Sequence, residues 1–115
     1  MMLDWNEYQK QIAANIAQIG RLNRDILKGY RGLSEAGNAT NLLGPKIREL
    51  IVLAVAVTKQ FDGCNITHTE AAIKHGATRE EIVEALGVAI AVNAGAALIF
   101  STRVMDAFNA KTDAI

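Results

Sequence analysis

The residues with the clearest chemical potential in this chain are Cys64, its only cysteine, and His68, four positions later. Residues at i and i+4 share one face of a helix, so this spacing places a thiol and an imidazole one turn apart. A carboxyl group, Glu49, stands near the start of the apolar segment that precedes Cys64. If the two segments pack together, the thiol, the imidazole and the carboxylate can meet, and chemistry is plausible there.

One hypothesis from the local sequence is that Cys64 is a reactive thiol. Asp62 suits the N-cap of a helix over residues 63–75, so Cys64 falls in the first turn, where unpaired N–H groups favour an anion. A helix end contributes only about 0.3–1 kcal/mol, too little to keep an ordinary thiol ionised at neutral pH. A second group is needed. His68 is the candidate base, and Glu49 can orient its ring or relay a proton through water.

A structural role for these residues stays open at this level. Buried cysteine often behaves as a small apolar residue, and a Cys/His pair at helical spacing arises often by chance. A zinc site is disfavoured because structural zinc normally takes four protein ligands, and one cysteine with two histidines falls short. We therefore expect no metal and no cofactor.

Length and composition indicate one soluble cytoplasmic domain over residues 1–115. Half of the residues are apolar and the net charge is zero, which favours self-association and gives no basic surface for nucleic acid. A single cysteine cannot form an internal disulfide. The N-terminus is polar and resembles no signal peptide. The longest apolar stretch, residues 86–100, contains Asn93 and is shorter than the ~18 residues of a membrane span.

The spacing of apolar residues predicts an all-α fold of about six helices and no sheet. Thr78 and Glu81 form a capping-box pattern, and Pro45 suits the first position of a helix. A loop is expected at residues 34–44 and a break at Asn93. The predicted helices are 5–19, 21–33, 45–60, 63–75, 79–92 and 96–110. The helix 45–60 contains the run LIVLAVAV, which by itself also suits a buried strand, and we expect this central helix to be buried on all sides.

Four segments in order give the chain a specific resemblance. They are KIRELIVLAVAV at 46–57, CNITHTEAA at 64–72, GATREEI at 76–82 and NAGAALIF at 93–100. In these segments the chain resembles the carboxymuconolactone decarboxylase superfamily, particularly its AhpD-like alkylhydroperoxidase branch, over about residues 30–108. The resemblance implies an all-helical domain that assembles into homo-oligomers, commonly trimers or hexamers.

In the peroxidase branch the motif is a glutamate, eleven residues, then Cys-x-x-Cys-x-x-x-His. The resemblance assigns Glu49, Cys64 and His68 to the catalytic glutamate, the second cysteine and the histidine. The first cysteine, which resolves the sulfenic acid as a disulfide, falls at Phe61. With this departure a peroxide can still oxidise Cys64 to a sulfenic acid. Reduction of that sulfenic acid to the thiol then needs an external thiol.

Three functions follow as hypotheses. The leading one is antioxidant peroxiredoxin-type activity, in which an oxidoreductase reduces hydroperoxides through the single cysteine. The second is proton transfer on a carboxylated lactone or small carboxylic acid, because the decarboxylase branch lacks the cysteine pair but keeps a histidine here. The third is a non-enzymatic oligomer that binds a small molecule.

Overall fold

The computed structural model describes residues 1–112, and within that range it contains five α-helices and no strand. The helices are α1 (Trp5–Leu22), α2 (Arg24–Thr40), α3 (Pro45–Lys59), α4 (Asp62–Lys74) and α5 (Arg79–Thr112). The predicted all-α class is confirmed. In packing order, α2 lies on α1, α1 on α4, α4 on α3, and α3 on α5.

Helices α3 and α5 are parallel, and α4, which connects them in the sequence, runs antiparallel to both. Lys46 Nζ donates to Glu81 Oε2 near the start of both helices, at 2.8 Å. Asn93 Nδ2 donates to Thr58 Oγ1 near the end of α3, also at 2.8 Å. Both pairs have the same sequence separation of 35 residues, as two parallel helices require.

The predicted break at Asn93 is wrong, because α5 is continuous for 34 residues. Asn93 does not form a turn: its amide donates both to Thr58 Oγ1 and to the Ala89 carbonyl, so its polar group is satisfied within a helix. Gly95 costs a helix only about 1 kcal/mol relative to alanine, and the neighbouring alanine, leucine and isoleucine residues favour helix. Two predicted helices are therefore one.

The loop predicted at residues 34–44 is also too long, since α2 continues to Thr40. Arg48 of α3 anchors the C-terminal end of α2. Its guanidinium donates to the Gly37 carbonyl at 3.3 Å and to the side-chain oxygens of Asn38 at 3.0 Å and Asn41 at 2.8 Å. Asn41 closes α2 in the left-handed conformation, at φ 47°. Only the short segment 41–44 connects α2 to α3.

We expect Arg48→Met to lower the free energy of unfolding by about 1–3 kcal/mol, because it leaves three acceptors without their charged donor. Lys10→Met, at an exposed position of α1, is the control and is expected to change it by less than about 0.5 kcal/mol. Urea unfolding followed by circular dichroism measures both. Equal effects of the two substitutions would show that Arg48 does not anchor α2.

The remaining helix ends differ in detail from the sequence prediction. Gly20 does not end α1, which continues to Leu22, and Asn23 then closes α1 and caps α2. Asp62 is the first residue of α4, and Phe61 takes the N-cap position that we assigned to Asp62. The capping box is confirmed: the Thr78 N–H donates to Glu81 Oε1 and the Glu81 N–H donates to Thr78 Oγ1. Glu81 is therefore more than part of a solvated helix face.

The pKa of Glu81 is held below its ordinary value, first by the hydrogen bond from Lys46 and then by the backbone bond from Thr78. A carboxyl group whose pKa is depressed in the folded state stabilises the fold above its unfolded pKa, and this contribution disappears as the pH falls through the folded value. We expect Glu81→Gln to lower the melting temperature at pH 7, with a difference from the parent that shrinks below about pH 4.3. Glu80→Gln is the control, and the same melting difference at pH 7 and pH 3 would contradict this assignment.

Burial within the single chain is small, and the prediction that the helix 45–60 is buried on all sides is wrong for an isolated chain. Leu53 and Ala56 are the buried residues of α3, whereas Ile51 and Val55 are about half exposed. The cause is the packing order, because only α4 and α5 make extensive contact with α3. Elsewhere among the described residues, Ala72 and Ala89 complete the buried apolar set.

Helix α5 extends well beyond the helix on which it packs. At 1.5 Å per residue it is about 51 Å long, whereas α3 is about 22 Å long. The molecule accordingly measures 61 × 38 × 37 Å. By length and composition alone α5 could also cross a membrane, with a mean hydropathy of 2.0 over an 18-residue window of which 6% is buried. The sequence prediction counted only the apolar stretch 86–100, which is shorter than the ~18 residues of a span, whereas α5 is continuous for 34 residues.

Candidate active site

The stripe of α4 that faces α3 carries both candidate residues. Cys64, His68 and Ala72 follow one another at intervals of four, and Ala72 at the end of the stripe is fully buried. On α3, Glu49 begins a comparable stripe that continues through the buried residue Leu53. Burial of Leu53 and Ala72 places both stripes at the contact between α3 and α4.

Glu49 and His68 form a close polar contact. The distance from His68 Nδ1 to Glu49 Oε2 is 2.5 Å, and the two side chains are 23% and 20% exposed. With an ionised carboxylate, Nδ1 carries the proton and donates it to Oε2. This bond fixes the tautomer and the plane of the ring, so Nε2 is left as the nitrogen that can accept or donate a proton.

Cys64 lies in the first turn of α4, as its third residue, and is partly exposed. One helical turn separates it from His68, a Cβ–Cβ distance of about 5–6 Å. Within residues 1–112, no hydrogen bond joins the thiol to another group.

Helix α1 packs on α4 beside Gly63, the residue before Cys64. Gly63 lets α1 approach, because a Cβ atom at this position would lie 3.0 Å from Ile12 Cδ1. The other end of the site is more open. Phe61, at the N-cap of α4, is 51% exposed and stands three residues before the thiol.

The structure brings two of the three residues that the sequence singled out into contact, Glu49 and His68, and Cys64 lies one helical turn from His68 on α4. The side chain of Glu49 reaches His68, which the spacing in the sequence could not establish. The other histidine, His75, is exposed at the C-cap of α4, away from this group. Among the described residues, no group of three or more histidine, cysteine or acidic side chains is arranged to hold a metal ion.

Comparison with known proteins finds one family whose model matches most of the chain. The profile of the carboxymuconolactone decarboxylase family matches residues 24–107. An uncharacterized protein of Haemophilus influenzae is 39% identical over 109 residues, covering 95% of this chain and 96% of that protein. An uncharacterized protein of Cupriavidus necator is 27% identical over 110 residues, covering 96% of this chain and 97% of its own length.

A solved structure has the same fold. It is the crystal structure of a carboxymuconolactone decarboxylase family protein from Legionella pneumophila in its apo form. The TM-score is 0.73 at 31% sequence identity, and the match covers 91% of this chain and 94% of the other. The similarity thus extends over nearly the whole chain, including the helices that carry Glu49, Cys64 and His68.

Proposed function

The chain belongs to the carboxymuconolactone decarboxylase family, and we propose that it reduces hydroperoxides through Cys64 with an external thiol as the reductant. The observation that carries this proposal is the Glu49–His68 contact, which lies one helical turn from the thiol. A nucleophile beside a base that a third group orients is the general arrangement of covalent catalysis.

The first step oxidises Cys64. Nε2 of His68 accepts the thiol proton through a bridging water, and the thiolate attacks the distal oxygen of the hydroperoxide. An S–O bond forms while the O–O bond breaks, so the sulfur is oxidised to the sulfenic acid and the peroxide is reduced. The leaving alkoxide takes the proton back from His68 and departs as an alcohol. Glu49 stabilises the positive charge that the ring holds between these two transfers.

The second step returns Cys64 to the thiol. An external thiol attacks the sulfenic sulfur, a mixed disulfide forms and water leaves. A second external thiol then attacks the mixed disulfide, releasing Cys64 and an oxidised disulfide of the reductant. Both equivalents come from solution because Cys64 is the only cysteine in the chain. Cys64 is itself partly exposed, as attack by a thiol from solution requires.

A second candidate function is supported by a different feature of the site. The Glu49–His68 contact is formed, whereas no hydrogen bond joins His68 to Cys64 within residues 1–112. A histidine held by a carboxylate can by itself remove a proton next to a carbonyl group. This alternative is proton transfer on a carboxylated lactone or a small carboxylic acid, in which Cys64 only lines the pocket.

Turnover of two substrate classes separates these functions. An organic hydroperoxide with dithiothreitol, and a carboxylated lactone without it, are each given to the parent, Cys64→Ser and His68→Ala. The proposal predicts hydroperoxide turnover that Cys64→Ser removes. Lactone turnover that survives in Cys64→Ser but is lost in His68→Ala would replace it with the second function. If the folded parent turns over neither class, both functions are contradicted, and the hypothesis of a non-enzymatic oligomer that binds a small molecule is left.

A further inference from the structure

The corner between α1 and α2 encloses an open cleft that contains no residue of the candidate active site. Its volume is about 1420 Å³. Four cationic residues line it, and all four are exposed to solvent: Arg21, Arg24, Lys28 and Arg31. Asp25 is the one acidic residue in the lining. We call this cleft, with its four cations, the basic cleft.

The basic cleft concentrates positive charge in a chain whose net charge is zero. Residues 21–31 contain four of the 12 lysine and arginine residues but one of the 12 acidic residues, a net charge of +3. The remaining eight cations and eleven acids leave the rest of the chain at −3. Both ion pairs within residues 1–112 join α3 to α4 or α5, so none of the four cations is paired with a carboxylate. Their charge is available to an anion from solution.

Helical spacing places three of the four cations on one face of α2. Arg24, Lys28 and Arg31 follow one another at intervals of four and three residues, so their positions around the helix axis lie within about 60°. Along the axis they extend over about 10 Å. Arg21, in the last turn of α1, lines the same cleft from the other helix. An anion in the cleft can therefore be contacted from two helices.

The corner that forms the basic cleft is held in place by local contacts. The Asn23 N–H donates to the Ile19 carbonyl at 2.8 Å, which closes α1. The Asn23 side chain accepts from the Asp25 N–H at 3.1 Å, which caps α2. Gly20 lets the two helices approach, because a Cβ atom at this position would collide with Leu27. The cleft is thus formed before a ligand enters, which lowers the entropic cost of binding.

We propose that the basic cleft binds an organic diphosphate. Three of the four cations are arginines, whose guanidinium groups donate paired hydrogen bonds to phosphate oxygens. A diphosphate monoester has a charge of about −3 near neutral pH, because its last ionisation has a pKa of about 6. This charge matches the +3 of the segment 21–31. The apolar side chains of Ala17, Leu22 and Leu27 in the same lining can contact the organic group.

The distribution of charge and apolar surface disfavours two larger anionic partners. The exposed apolar residues Ile26, Tyr30 and Leu33 lie on average about 160° around α2 from its three cations. A bilayer that takes up these apolar side chains would therefore face away from the cations. A nucleic acid needs an extended basic surface, whereas the chain outside residues 21–31 is net negative.

Isothermal titration calorimetry at constant ionic strength, with adenosine diphosphate as the probe, tests the site. We expect one molecule to bind per chain and adenosine, which has no phosphate, to bind at least tenfold more weakly. The double substitution Lys28→Gln with Arg31→Gln is expected to weaken adenosine diphosphate binding at least tenfold, because two charged hydrogen-bond donors are lost. The control, Arg103→Gln with Lys111→Gln, removes the same charges from exposed positions of α5 and should change the affinity less than twofold.

Four outcomes would overturn the proposal. Absence of saturable binding to the parent would show that the cleft is not a diphosphate site. Equal weakening by the two double substitutions, with unchanged circular dichroism, would show that only the net charge matters. Tighter binding of a single-stranded oligonucleotide than of adenosine diphosphate would assign the cations to nucleic acid. Binding to phosphatidylglycerol vesicles without binding of adenosine diphosphate would assign them to a lipid surface.

Discussion

Replacing Cys64 by serine is expected to abolish hydroperoxide reduction, with a loss of turnover of about 10³-fold or more. A serine hydroxyl cannot be oxidised by a peroxide as a sulfur atom can, and the sequence contains no other cysteine to replace it. Steady-state consumption of an organic hydroperoxide with dithiothreitol measures the effect. The non-enzymatic reaction of the peroxide with dithiothreitol has to be subtracted.

The control for this substitution is Asn65→Ser, which changes the next residue of the same helical turn and is expected to keep turnover within about threefold. Both variants should show the parent's circular dichroism, because Cys64 makes no hydrogen bond to the described part of the chain. If Cys64→Ser keeps more than about a tenth of the parent's turnover, the sulfur is not the reacting atom.

The second large effect is expected at the Glu49–His68 pair. His68→Ala removes the group that holds and returns the proton, and we expect turnover to fall by about 10²-fold. Glu49→Gln keeps a side-chain oxygen that can accept from Nδ1 but loses the negative charge, so a smaller loss of about tenfold is expected. Single-turnover oxidation of Cys64, followed by mass spectrometry, measures the step in which the pair acts.

A double substitution separates a positioning role for Glu49 from an independent one. If Glu49 acts through His68, adding Glu49→Gln to His68→Ala has little further effect, because the two losses are coupled. Glu70→Gln and His75→Ala are the matched controls, since both residues are exposed on or beside α4 and lie outside the pair. Fully multiplicative losses in the double variant would contradict the positioning role.

Local signals in the sequence predicted those parts of the fold that depend on local contacts. Pro45 begins α3, and Thr78 with Glu81 caps α5, as the pattern indicated. The helical phase that places Cys64 and His68 on one face also needs only the spacing between them. In each case the physical cause lies within a few residues of the signal.

The failures occurred where tertiary contacts override local preference. Asn93 looks like the end of a helix until Thr58 provides an acceptor for its amide on a neighbouring helix. Residues 34–40 look like a loop until Arg48 bonds to the end of α2. Neither partner can be found from the sequence near these residues, because each lies in another helix.

The exposure of α3 has a different cause. Its run of apolar residues predicted burial on all sides, but the other helices of this chain cover only part of it, leaving Val55 about half exposed. An apolar pattern predicts that a helix is buried, but it does not tell whether the covering surface belongs to the same chain or to another molecule.

The contact between Glu49 and His68 could not be predicted from spacing either, because 19 residues separate the two side chains along the chain.

The most direct test of the central claim is the oxidation of Cys64 by one equivalent of hydroperoxide in the presence of dimedone, which traps sulfenic acid. Peptide mass spectrometry of the parent and of His68→Ala gives the extent and the rate. We predict a dimedone adduct at Cys64 in the parent that forms about 10²-fold more slowly in His68→Ala. No adduct, or adducts formed at the same rate in both proteins, would show that the Glu49–His68 pair does not activate this sulfur.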